Sequence, residues 1–418
     1  SLIMPEDVVI AITRMARERP NFPVIKDIVG LSSWLNLDFP LESLPSGIEI
    51  EGHKISIKLT NAVGNPLFRF CLELFSIIPK KCIDLKNGAI LCERIPVSGY
   101  YEIENETNKY IVFSSRAHSA IFGLKLPKRI MFSYSPLTTV LNDPTKLLKH
   151  HVVAAHEGMI KNSDIKRIAS SLGIQKKPSS RFSVLVLNKK GRLFSNRILR
   201  LWFSEQFRKS FAKIESGRQI EASLFTKILP GYLSHAELIE PHKEALAKIK
   251  LEELNQLTNL NWAARPDLDR GLFEIPLENL FSSIGVQLPK PKKFSSRAEL
   301  SQAFLNGEID LMYGSTGFWS LDPIGDLQML FTPNLHQDLR DIANDPEVRS
   351  RLQALSADDA GIEPFEELNR YLFDDAAFSV FTHHARIYLQ SKTSGQKPLP
   401  FGITSPPPWM LFAVEDEQ

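Results

Sequence analysis

Cysteine is scarce in this chain: Cys71, Cys82 and Cys92 are the only three in 418 residues. That excludes a disulfide-dense scaffold and leaves no Cys/His spacing for a zinc site. Long apolar runs are missing too, since none reaches the ~18 residues of a membrane span. An excess of one charge is also absent. Against 50 Lys+Arg stand 48 Asp+Glu, a net charge of +2, without the clustered basic excess that nucleic-acid binding asks for. The basic run Pro289-Lys290-Pro291-Lys292-Lys293 is short and reads as a solvated loop. There is no Gly-x-Ser-x-Gly elbow, no phosphate loop, no internal repeat and no low-complexity segment. No leader is visible, which leaves export open, because a mature chain carries none.

The candidate chemistry is equally thin. His156-Glu157-Gly158-Met159-Ile160 lacks the second His of a zinc-protease helix. His150-His151 and His383-His384 put neighbouring rings on different faces and read as surface or core residues, with a transition-metal site as the alternative. Asp358-Asp359 and Asp374-Asp375 read as helix caps or solvated faces. No catalytic group, metal or cofactor is expected. Cys71 lies in an apolar helical run and reads as a small buried hydrophobe. Cys82 and Cys92 flank a segment containing the turn-former Asn87-Gly88. Facing each other across a hairpin they would form a disulfide; otherwise they are two free thiols.

With 43% hydrophobic and 23% charged residues, the composition is that of a globular protein. Its length exceeds the ~250–300 residues at which one core stops growing. The most informative stretch runs from Phe304 to Gly314 and on to Trp319 and Asp322-Pro323. It reads as a helix end, a left-handed stop at Gly307, a buried strand through Ile309, Leu311 and Met312, and a loop. Pro5 to Met15 reads as a helix with Glu6 and Asp7 in its first turn. Gly47 to Leu59 alternates like a hairpin. Strands are expected at 110–113, 129–134, 182–188 and 270–275, and helices at 196–216 and 276–284.

The order of these segments resembles the family 5 extracellular solute-binding proteins, receptors for peptide, dipeptide and nickel ABC transporters. The stretch after Phe304 is similar to that family's "GxxDL…W…DP", Pro5–Met15 to its "AEDVVxSxxR", and Phe75–Lys80 to its "IVPK". Pro96–Ile103 resembles "PVGTGPY", Asn196–Arg200 opens like the "RVRQA" helix, and Ile228-Leu229-Pro230-Gly231 matches a Pro-Gly exit. Ala376–Phe381 resembles the "IPLY" strand that returns to the first lobe. The resemblance implies an α/β, two-lobed periplasmic-binding-protein-like (type II, family 5) fold with mixed sheets and a hinge. It implies residues 1–125 as an accessory part of lobe I, 126–250 with 375–418 as the lobe I core, and 251–374 as lobe II.

Function follows from the same resemblance: a receptor closing like a Venus flytrap on a small-molecule or peptide-like ligand, in the periplasm or cell envelope. An ABC transporter permease is the implied partner. The expected ligand-lining residues are Phe318, Trp319, Asp322, Tyr313 and Arg200. Peptide-binding members place an Asp four residues before the motif's Pro, facing the ligand's α-ammonium. Here Trp319 stands there, and a buried ammonium needs a counter-charge. Ordinary free-amine peptides are therefore not the expected ligand. Asp322 either reaches the cleft or serves the turn before Pro323. The family also builds strands ahead of its "AEDVV" helix, so an N-terminal segment or partner chain completing lobe I is expected. The rival reading is a regulatory or scaffold protein, such as a sensor domain of a transcription regulator, that keeps the fold without transport.

Overall fold

Helix α1 (Pro5–Glu18) starts on a proline, whose missing N–H is unneeded in a first turn. Asp7 closes that turn by accepting from the Met4 N–H at 2.9 Å, while its other oxygen accepts from the Lys80 N–H at 2.7 Å. Val9, Ile12, Met15 and Ala16 form its buried stripe, packed with Phe22, Ile25, Trp34 and Ile78. The expected hairpin is β1 (Ile48–Glu51) paired with β2 (Lys54–Ile57), turning at Gly52 with φ +60°. Strands β3 (Tyr101–Glu106), β4 (Tyr110–Ser115) and β5 (Arg129–Ser133) form a separate antiparallel sheet. These elements come from a computed structural model. It describes residues 3–20, 22, 24–37, 43–60, 70, 77–92, 101–107, 110–115, 120–121, 124–125, 129–133, 142–143, 152–156, 167–214, 220–227, 229–249, 254–264, 271–318, 323–332, 339–355, 361–392, 397–398 and 412–413.

A five-stranded sheet carries the rest. Its strands are β6 (Val152–His156), β7 (Leu172–Leu187), β8 (Trp262–Ala264), β9 (Leu311–Gly317) and β10 (Phe378–Ser391), in the order β8-β9-β7-β10-β6. Only β8 and β9 run parallel. β7 begins at Leu172, well before the expected Phe182, and β10 runs on to Ser391 instead of ending near Phe381. These two strands pair along most of their length, but their flanks are staggered. β9 accompanies β7 only over 181–187, and β6 accompanies β10 only over 386–390. Between them the sheet narrows to a two-stranded waist, where β10 shifts register twice, after Val380 and after His383. Pro178, which cannot donate to a ladder, sits in this waist opposite Ala385.

On one side of the waist, alternate β7 residues feed two cores. Phe182, Val184 and Val186 face one, and Leu185 and Leu187 face the other. Helix α2 (Arg197–Ile214), capped by the Asn196 side chain, buries Leu199, Phe203, Phe207 and Phe211 in the second core. The stretch expected as a strand at 270–275 is instead the first half of helix α3 (Gly271–Ser283). Phe273, Leu277, Leu280 and Phe281 keep helical spacing straight through Pro276, and that face is fully buried. The division expected near residue 250 falls inside this packing, since Leu199 and Phe203 share a core with Leu257, Phe273 and Leu277. Helix α4 (Arg297–Leu305) ends at Asn306, and Gly307 follows at φ +79°, as expected. Helices α5 (Pro323–Leu330), α6 (Pro346–Ala354) and α7 (Glu363–Asp375) complete this part.

Candidate functional site

The waist is where separate segments meet. β9 leaves the sheet through Gly317 and Phe318, and a Cβ on Gly317 would stand 2.7 Å from the Ser180 carbonyl. The Phe318 N–H donates to that same carbonyl at 3.2 Å, and Ser180 Oγ returns a hydrogen bond to the Phe318 carbonyl. Phe318 stacks on Phe225 at 5.7 Å and tilts against Phe182 at 5.8 Å. The segment 220–227 is thereby brought against the end of β9.

That segment is held from behind by one side chain. Asn369 on α7 donates to Ser223 Oγ at 2.7 Å and to the Gly231 carbonyl at 2.9 Å, and accepts from the Leu224 N–H at 2.9 Å. From the waist side, His383 Nε2 donates to the Ser223 carbonyl at 2.9 Å. Burial pushes the His383 ring down to about 4, so it is neutral at ordinary pH. His384 turns the other way and shares a 2.8 Å hydrogen bond with Ser183 Oγ. The two rings thus lie on opposite faces, as expected, and each ties a different element to the bulged strand.

The segment also carries charge. Glu221 is largely enclosed, and burial raises its carboxyl above the usual range. Tyr232 Oη donates to it at 3.3 Å, and Lys227 Nζ stands 3.8 Å away. Deeper in, Arg208 of α2 donates to the Val380 carbonyl at 2.8 Å and to Ser379 Oγ at 2.6 Å, pinning the helix beside the first bulge. Burial lowers Arg208 to about 10. Burial alone would raise its neighbour Glu205, but His235 at 2.8 Å and the charges of Arg208 and Lys209 outweigh it and hold that carboxyl down. Among the described residues, no group of three or more His, Cys, Asp or Glu could hold a metal ion.

Three of the expected ligand-lining residues are core residues instead. Tyr313 stacks on Phe273 at 4.8 Å inside the second core. Phe318, only 3% exposed, belongs to the first. Arg200 is turned inward, donating to Asp375 and to the Phe194 and Ser195 carbonyls. Aromatic and cationic residues beside a buried strand carry no sequence mark saying which face they occupy. Asp374 and Asp375, expected as caps or solvated faces, are paired with His242 and Arg200. Trp319 and Asp322 lie outside the described residues, as do Cys71, His150, His151, Asp358 and Asp359. Cys82 and Cys92 are joined in a disulfide across the hairpin turning at Gly88. Glu221, Tyr232 and Asn369 were not singled out by the sequence, because their grouping depends on contacts across more than a hundred residues.

A staggered sheet whose two long strands cross between separate cores defines the chain's class: it has the two-lobed fold of the family 5 ABC solute-binding proteins. Among similar structures is NikA from Brucella suis, in complex with Fe(III)-EDTA, with a TM-score of 0.74, 15% identity, and 99% of this chain covering 85% of that one. A putative peptide binding protein, AppA from Clostridium difficile, is similar at TM-score 0.71 and 15% identity, over 99% and 84% of the two chains. DppA from Helicobacter pylori, in complex with the peptide STSA, gives 0.70 and 14%, over 99% and 82%. These neighbours are binding proteins rather than enzymes. No family model matches the sequence, and no curated protein matches it.

Proposed function

We propose that the protein is a solute-binding receptor that closes two lobes on a small ligand at the waist, and that it delivers the ligand to an ABC importer. The staggered waist carries this reading. Two strands crossing between cores can bend without unpacking either, which is how hinge closure around a ligand works. We divide the lobes at the waist, with the core built from residues 182–381 as one lobe and the core built on α1 in the other. A separate N-terminal chain finds no support in the similar structures. An envelope location fits the Cys82–Cys92 bridge, because such pairs persist in oxidising compartments. Among the described residues, no helix is long and apolar enough to cross a membrane.

The ligand is not an ordinary free-amine peptide, since Trp319 stands where the peptide-binding relatives carry an acid. Native mass spectrometry of protein as purified should find a bound small molecule. Titration with a mixed di- to pentapeptide library should give affinity weaker than micromolar, and Trp319→Asp should improve it. Micromolar peptide binding by the unaltered protein would remove the ligand reading.

A further inference from the structure

We propose that Glu221, with Tyr232 beside it, anchors a positively charged nitrogen group of the ligand, an inference that rests on the solute-binding reading above. The carboxylate is enclosed, its side chain only 14% exposed, yet it is poorly satisfied. A carboxylate offers about four acceptor positions. Glu221 uses one of them on Tyr232 Oη at 3.3 Å. Lys227 Nζ, at 3.8 Å, is beyond hydrogen-bond range. Buried charge without hydrogen bonds is unfavourable, so the free oxygen is a standing demand for N–H donors.

Position makes that demand relevant to the ligand. Glu221 lies two residues from Ser223, whose carbonyl receives His383 at the bulged waist. Four residues on, Phe225 stacks on Phe318 at the exit of β9. The charge of Lys227 is felt at both Glu221 and His383, which puts the carboxylate within a side chain's reach of the hinge. Asn369 fixes the segment through three hydrogen bonds, so the carboxylate is held in place before a ligand arrives. Lys227 does not block the site. It is 56% exposed, and an exposed pair of this kind contributes little, so an incoming cation can displace it. A guanidinium or alkylammonium group supplies the several N–H donors that one lysine at 3.8 Å does not.

The test uses agmatine, which carries both cationic groups, and glutarate as an anionic counterpart, each titrated into the whole protein. Agmatine should bind more tightly than glutarate. Glu221→Gln should weaken agmatine at least tenfold and release most of any co-purified ligand seen by native mass spectrometry, while its circular dichroism spectrum is unchanged. Lys227→Met should strengthen agmatine severalfold by removing the competitor. A preference for glutarate, or a co-purified ligand that Glu221→Gln retains in full, overturns the anchor and leaves the receptor reading standing. If no probe binds and no ligand co-purifies, the receptor reading falls, and the anchor with it.

Discussion

Arg200 grips Asp375 twice, donating through Nη2 to Oδ1 at 2.8 Å and through Nε to the backbone carbonyl at 2.8 Å. This contact fastens the first turn of α2 to the last residue of α7, at the point where the chain turns into β10. Breaking a buried pair by removing one partner leaves an uncompensated charge, at about 3–5 kcal/mol. Lys189 remains 3.5 Å from the other Asp375 oxygen and softens the loss. Arg200→Ala should therefore fall near the lower end of that range in urea unfolding, and the folded variant should keep its ligand affinity. A marked affinity loss with unchanged stability would return Arg200 to the ligand site.

Gly231 and Gly285 form a matched pair of left-handed glycines, at φ +79° and +72°. A Cβ on Gly285 meets nothing within 4 Å, whereas one on Gly231 would stand 2.3 Å from the Phe365 Cβ. Both alanine variants carry left-handed strain of about 1–2 kcal/mol. Gly231→Ala should lose about 1–3 kcal/mol more through overpacking. Thermal melts of the two variants side by side measure the difference.

The Cys82–Cys92 bridge closes a short loop, worth about 2–3 kcal/mol in the chain-entropy account. Mass analysis of unreduced protein should find one free thiol, and Cys82→Ser with Cys92→Ser should lower the unfolding midpoint by that amount. Three free thiols in carefully oxidised protein would contradict the pairing.

His383 gives the fold a dependence on pH. Its folded value is about 4, below the ordinary 6.5, so the native state holds the ring neutral while the unfolded chain takes up the proton first. Its contribution is complete above about pH 6.5 and is lost as the pH falls from there toward about 4. Stability measured against pH should slope downward through that window, and His383→Gln should flatten the slope. Parallel curves for the two proteins would assign the slope to other groups.

Local signals made much of the fold legible. Pro5 and Asp7 open α1, alternation marks the β1–β2 hairpin, and Gly307 stops α4. Where the sequence misled, the local signal was ambiguous. The run before Pro276 looked like a strand because a proline inside a helix is costly, yet the buried face at Phe273 and Leu277 overrides it. The site was hidden for another reason. Asn369 reaches Ser223 across 146 positions and Ser183 meets His384 across 201, so no window of sequence contains either pair. A resemblance located the loop after β9, but not which side chains near it point inward.

The waist has one more consequence, for how the chain can be cut. The Leu187 N–H donates to the Ala377 carbonyl at 2.9 Å, and Val186 stands opposite Phe378, so everything between them leaves and returns at one point. The two large cores on that side draw only on residues 182–381. Residues 188–377 therefore behave as an insertion whose ends nearly touch, and such a module tolerates excision or circular permutation. A fragment from 172 to 391 should unfold in a single cooperative transition by itself; a molten fragment would mean that the module borrows its order from the rest of the chain.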